Sequence, residues 1–238
     1  MWAASEGNEI REAFSKQFGS ASSFGSSAVK PPLVKSPLID KLVFKLPRKR
    51  PFHQVLGVSG DQTHHLLWRM QNGEFPSMDG SPRIAVMMIG TNNLGRGMLS
   101  EPTVEGIIAC ARYILQRGGT QMHLLLSELL PRYDSHKLER LCPPRCNQSG
   151  KPFQSFMPAI QKVNAALPGV VEKLRVEFPK QLISLSSCGT IFPEKRAEEV
   201  MPDKLHPNAK GHTLWAHCLS KQLQNMTNTQ WYILGDQS

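Results

Sequence analysis

Residues 84–93, reading Ile-Ala-Val-Met-Met-Ile-Gly-Thr-Asn-Asn, constrain this chain more than any other stretch. Six apolar residues run without a break and stop at Gly90, followed by three small polar residues. An unbroken apolar run of that length, closed by turn formers, reads as a strand buried on both faces, the kind found in parallel sheets covered by helices. In such sheets ligands bind beyond the carboxyl ends of the strands. Gly90-Thr91-Asn92-Asn93 is therefore the first place to look for chemistry. A plain strand-to-loop turn would use the same residue types.

The text around this run alternates in the same sense. Residues 54–58 are a short strand candidate, broken by Ser59-Gly60-Asp61, and residues 63–72 show helical spacing with Leu66, Leu67 and Met70 on one side. Ser100 is placed to cap a helix with Glu101 and Pro102 in its first turn. Val104, Ile107, Ile108, Ala111, Ile114 and Leu115 then form one apolar face, ended by Gly118-Gly119. Residues 122–126 are a second buried strand. A helical region over 156–178 is expected to be interrupted at Pro168-Gly169, and residues 182–185 make a last short strand. Pro207 is expected to open the final helix at its first position, with Leu214, Trp215, Cys218 and Leu219 on its apolar side. Strand-helix alternation at this spacing predicts an α/β fold, a three-layer α/β/α arrangement on a parallel, flavodoxin-like sheet. The expected organisation is a Ser/Pro-rich, basic leader over 1–52, one domain over 53–225, and a tail over 226–238.

Charge separates leader from domain. The chain of 238 residues carries a formal net charge of +9, of which +5 falls in residues 1–53. Its densest cluster is Lys45, Arg48, Lys49 and Arg50. Such a cluster can meet nucleic acid, but few aromatics surround it to supply a stacking platform, so nucleic-acid binding is disfavoured. No apolar run is long enough for a membrane span. The N-terminus lacks the apolar core of a secretory signal, which makes the cytoplasm the default compartment. Five cysteines in irregular spacing fit reduced thiols better than a disulfide framework. Asn147-Gln148-Ser149 and Asn225-Met226-Thr227 match the N-glycosylation pattern, which matters only in a secreted protein. Cys142 and Cys146 lack a second pair at zinc-finger spacing, and His64, His65, His212 and His217 lack carboxylates at matching spacing. No metal and no cofactor are expected.

Two further groups could act with residues 90–93. Asp203 stands three residues before His206, on the turn into the last helix. A carboxylate there can hold the imidazole Nδ1 and leave Nε2 as a general base, although Asp at a helix start is also an ordinary capping residue. Gly60-Asp61 sits between a strand and a helix, where backbone N–H groups can face an anion.

The order of these motifs closely resembles the SGNH (GDSL-like) hydrolase superfamily. Gly-Asp ends one strand, Gly-Thr-Asn-Asn ends the next, and Asp-x-x-His precedes the last helix. Within it, residues 58–75 (Val-Ser-Gly-Asp-Gln-Thr-His-His-Leu-Leu-Trp-Arg-Met-Gln-Asn-Gly-Glu-Phe) look like the branch that contains the catalytic subunits of platelet-activating-factor acetylhydrolase Ib. The resemblance implies an esterase of small acyl or acetyl esters that needs no cofactor, in which Gly60 and Asn92 donate to an oxyanion and Asp203 and His206 complete a Ser-His-Asp triad. It leaves open whether the domain works as a homo-oligomer.

The same resemblance implies a Gly-Asp-Ser nucleophile motif after a first, central strand, and this sequence has none: Gly60-Asp61 and Gly235-Asp236 are both followed by Gln. Ser27 and Ser36 are the nearest serines in the expected window, and residues 41–46 are the only strand-like run in the leader. Either that run fills the central slot or the chain has lost a segment before Met1, and the second reading is favoured. The first strand is expected to be degenerate or missing. An alternative follows, a catalytically inactive module of the same fold that serves in binding or assembly.

Overall fold

The computed structural model describes residues 54–76 and 82–235. The leader, with residues 41–46, Ser27 and Ser36, lies outside the described residues.

Three parallel strands order the molecule: β1 (Arg83–Met87), β2 (Met122–Ser127) and β3 (Ile183–Ser186). They lie side by side as β1-β2-β3, with Ile84 opposite His123 and Leu126 opposite Leu185. All six β2 residues are buried, because their alternate side chains face two different cores. Leu124 and Leu126 point into the larger core, with Met87 and Ile183. Three helices cover that face: α1 (Thr63–Arg69), α3 (Ser100–Gly118) and α4 (Met157–Glu177). Leu125 points the other way, packing with Cys188, Leu219 and the partly buried Ile84 under the last helix. This is a three-layer α/β/α fold, as the alternation predicts.

Between β1 and α3 lies a five-residue helix, α2 (Thr91–Gly95). A one-turn helix, α5 (Ala197–Val200), precedes α6 (Ala209–Gly235), which runs past residue 225.

Several local expectations are corrected. Residues 54–58 join no ladder, and Val55 and Val58 are exposed. A strand needs a neighbour for its N–H and C=O groups, and none of the described strands lies beside this segment. The run 84–89 is not buried on both faces. Among the described residues β1 pairs only with β2, and Val86 is 41% exposed; full burial belongs to the central strand β2. Ser100 does not cap α3. Its hydroxyl donates to the Ala159 carbonyl at 3.3 Å, tying α3 to α4.

Pro168 does not interrupt α4, which continues through it. The proline removes one helical hydrogen bond on the exposed side, while Val163, Leu167, Val170, Val171 and Leu174 stay buried on the other. Packing of that stripe outweighs a local cost of about 3 kcal/mol. Pro207 lies two residues ahead of α6. The first turn is capped by Asn208, whose Oδ1 accepts from Gly211 N at 3.0 Å.

Four of the five cysteines are not reduced thiols. Cys142 pairs with Cys146, Cys188 pairs with Cys218, and only Cys110 is free. The 30-residue separation of Cys188 and Cys218 hid their pairing in the sequence. The fold brings the turn after β3 against α6.

Candidate active site

Gly60 and Asn92 meet at one cleft. Gly60 has φ +80, a left-handed conformation that glycine adopts without a Cβ clash. This turns the backbone between 58 and 61, where Asp61 N donates to Val58 O at 3.2 Å. Asp61 is buried and paired with Arg69, whose guanidinium also donates to Leu56 O at 3.1 Å and pairs with Glu74. A carboxylate and a cation from α1 therefore fix the turn that presents Gly60. Among the described residues no acceptor takes the Gly60 N–H.

Asn92 arrives on α2. Gly90, with φ +131, makes the break between β1 and this helix. The Asn92 carboxamide donates to the Asp61 carbonyl at 3.0 Å, which leaves its second N–H for the cleft that Asn92 lines. Asn93 is fully buried and stitches the same two segments from beneath. Its Oδ1 accepts from Thr63 N at 3.0 Å and its Nδ2 donates to Thr63 Oγ1 at 2.8 Å. The sequence motif points to Asn92 and not to Asn93. The two are adjacent and chemically alike, and only burial separates their roles.

Two buried arginines outside the sequence motifs donate to backbone carbonyls in and just after α2. Arg132, 1% exposed, donates Nη1 to Thr91 O at 2.9 Å. Its other nitrogens form a two-bond pair with Asp134 at 2.8 and 3.1 Å, and its Cζ lies 4.1 Å from the centre of the Phe156 ring. Arg145 donates to Leu94 O at 3.4 Å and to Met98 O. Burial, and then the charge of Arg132, lower the Arg145 pKa, with Glu101 opposing. A signal existed in the sequence: Arg132 and Asp134 follow Leu129-Leu130-Pro131 directly, where a buried strand has just ended.

The cleft holds about 350 Å³ and is lined by Gly60, Asn92, Gly95, Arg96, Arg132 and Lys137. Asp203 and His206 do not line it. They form their own turn before α6. Asp203 Oδ1 accepts from Leu205 N at 3.0 Å and His206 N at 2.7 Å, and Oδ2 meets His206 Nδ1. Partial burial works to raise the Asp203 pKa, but the His206 backbone N–H, the His206 ring and the Leu205 N–H outweigh it and hold the pKa below the usual value. Lys204, between them, has φ 62, and its carbonyl accepts from Tyr133 N at 2.8 Å. Tyr133 follows Arg132, so one short segment after β2 contacts both the cleft and the Asp-His turn. Gly60 and Asn92 thus line one cleft, while Asp203 and His206 pair on a separate turn that residues 132–133 connect to it.

The other histidines take ordinary places. His65 Nδ1 accepts from Gln62 N at 3.2 Å at the start of α1, and His212 is buried in α6. Among the described residues no group of three or more His, Cys, Asp or Glu could hold a metal ion, and no helix is long and apolar enough to cross a membrane.

Comparison with known proteins gives three findings. The profile of the GDSL-like lipase/acylhydrolase family matches residues 32–214, well over half of the chain. Platelet-activating factor acetylhydrolase IB subunit alpha1 of Pongo abelii is 37% identical over 83 residues, 34% of this chain and 34% of that protein. Subunit alpha2 of Rattus norvegicus is 36% identical over the same length. The match thus spans about a third of these relatives. Among solved structures, a carbohydrate esterase family 3 from Talaromyces cellulolyticus superposes with a TM-score of 0.50 at 18% identity, covering 72% of this chain and 71% of that one. At that identity the likeness concerns the fold alone.

Proposed function

The chain belongs to the GDSL-like lipase/acylhydrolase family, and on that premise we propose that it is a serine ester hydrolase of small acyl or acetyl esters. The observation that carries this reading is the convergence of Gly60 and Asn92 on one cleft. A backbone N–H and a carboxamide N–H there can donate together to a developing oxyanion. Losing one such donor typically raises the barrier by ~2.7–4 kcal/mol.

The proposed reaction divides the work among the assembled groups. The serine Oγ attacks the ester carbonyl while His206 Nε2 takes its proton. The carbonyl π electrons move to the oxygen, which Gly60 and Asn92 hold. Collapse of this intermediate expels the alcohol, which receives the proton from His206, and leaves an acyl-serine. Water, deprotonated by the same nitrogen, then releases the acid. Asp203 keeps the proton of His206 on Nδ1 and so keeps Nε2 facing the reaction. Ser27 and Ser36 are the serines at which the nucleophile is to be sought.

The reading is tested with a fluorophosphonate probe and p-nitrophenyl acetate. Intact protein is expected to carry one probe adduct on a serine in residues 1–53, and turnover is expected to fall by at least 10³-fold in His206→Ala. Absence of both labelling and turnover in the intact chain would refute it.

A further inference from the structure

We propose that Asn147 is an N-glycan acceptor, and that this domain acquires its glycan and its disulfides in an oxidising compartment of the secretory route. That assignment replaces the cytoplasmic default drawn from the N-terminus. It is independent of the esterase reading.

The disulfides supply the first argument. Four of the five cysteines are paired. Cys188 is wholly buried, and its partner lies 30 residues away on another element, so the bond links parts that only the fold brings together. Bonds of this kind form and persist where thiols are not kept reduced. Compartments that oxidise cysteines in this way in eukaryotic cells also glycosylate Asn-x-Ser/Thr sites that reach solvent.

The geometry at Asn147 supplies the second. Asn147, Gln148 and Ser149 are all exposed, on a turn that directly follows the Cys142–Cys146 bridge. The Asn147 side-chain oxygen is fully occupied. It accepts from Ser149 N at 3.0 Å, Ser149 Oγ at 2.8 Å and Lys151 N at 3.0 Å. The amide nitrogen, Nδ2, makes no hydrogen bond among the described residues and is the atom left to solvent. The hydroxyl that defines the sequence pattern is thus already folded onto the acceptor amide. The neighbouring Gly150 has φ +75, and nothing stands within 4 Å of where its Cβ would be. The groove beside Asn147 is lined by Ser135, Glu139, Lys151 and Phe153 among others, and it shares no lining residue with the Gly60–Asn92 cleft. A glycan here leaves the candidate active site open.

The group transferred is an oligosaccharide carried on a lipid pyrophosphate. Asn147 Nδ2 forms a bond to the sugar C1 and loses one proton. The C1–O bond to the pyrophosphate breaks, and the pyrophosphate leaves with the electron pair.

Asn225, the other match, differs. It lies within the helix α6 rather than on a turn.

The test uses the native protein isolated from its own cells, alkylated without reductant, digested, and treated with a peptide-N-glycosidase in H2(18)O. The expected result is Asp bearing one 18O at position 147 and cross-linked peptides joining Cys142 to Cys146 and Cys188 to Cys218. An unmodified Asn147 peptide, or 18O at position 225 alone, would overturn the acceptor assignment. Alkylated thiols at Cys188 and Cys218 would overturn the compartment.

Discussion

Replacing Gly95 by Ala puts one methyl group against the most firmly held side chain in the cleft wall. A Cβ at this position would stand 2.3 Å from Arg132 Nη1 and 2.9 Å from both Cζ and Nη2. The guanidinium cannot step aside cheaply, since both faces of its fork are engaged, on Asp134 and on Thr91 O, and the Phe156 ring lies against it. Two effects compete. Ala is favoured over Gly in a helix by up to ~1 kcal/mol. Forcing an extra carbon into a packed site costs about 1–3 kcal/mol, and separating a buried ion pair costs about 3–5 kcal/mol if one charge is left without its partner. The steric term wins, and Gly95→Ala is expected to lower stability by about 1–3 kcal/mol, read from urea unfolding with an unchanged slope. The sharper measurement is a double-mutant cycle. With Arg132→Ala as background the obstacle is gone, and Gly95→Ala should now stabilise by up to ~1 kcal/mol. A sign that does not reverse, or a neutral Gly95→Ala in the wild-type background, would show that Arg132 has room to move and does not hold α2 as described.

Three further outcomes follow from other parts of the molecule. Cys188→Ser opens a 30-residue loop in the unfolded chain and is expected to cost about 3–4 kcal/mol by the loop-entropy relation, against about 2 kcal/mol for Cys142→Ser; equal midpoints in denaturant melts would contradict this. The Cys110 thiol, pushed up to about 12 by burial, should resist iodoacetamide at pH 8 in the folded protein and react once it is unfolded; rapid labelling of the native state would show the thiol is reached. Asp203, whose pKa is lowered on folding, contributes stability that is present above its ordinary value and is lost as the pH falls through its folded value. Wild type and Asp203→Asn should therefore differ in stability at neutral pH and converge in acid, and curves that stay parallel down to low pH would exclude the linkage.

Local patterns carried the alternation of elements because each depends on spacing along the chain. The face Val104, Ile107, Ile108, Ala111, Ile114, Leu115 is written at helical intervals, and α3 ends at Gly118, one residue before the break is complete. The same was true of Asp203 and His206, whose pairing requires only a tight turn. Patterns fail where a residue's partner lies on another element. An apolar run of six says that burial is available but does not say which strand is central, so residues 84–89 and 122–126 looked alike, while the sheet leaves Val86 half open and buries all of β2. Pro168 reads as a break only until the stripe around it is packed.

For the site, the sequence by itself determined which residue types stand at the turns: Gly60 ahead of the first described helix, Asn92 just past a strand, and an Asp-His turn before the last helix. Those positions follow from short-range chemistry, the freedom of glycine at positive φ and the reach of a carboxylate across three residues. Tertiary structure alone decided that Gly60 and Asn92 share a cleft, that Asn93 rather than Asn92 is the buried tie, and that Arg132 and Arg145 reach carbonyls in and just after α2. It also decided that Cys188 meets Cys218. Each of these depends on atoms separated by tens of residues, whose approach is set by how the helices pack on the sheet and leaves no periodic trace in the chain.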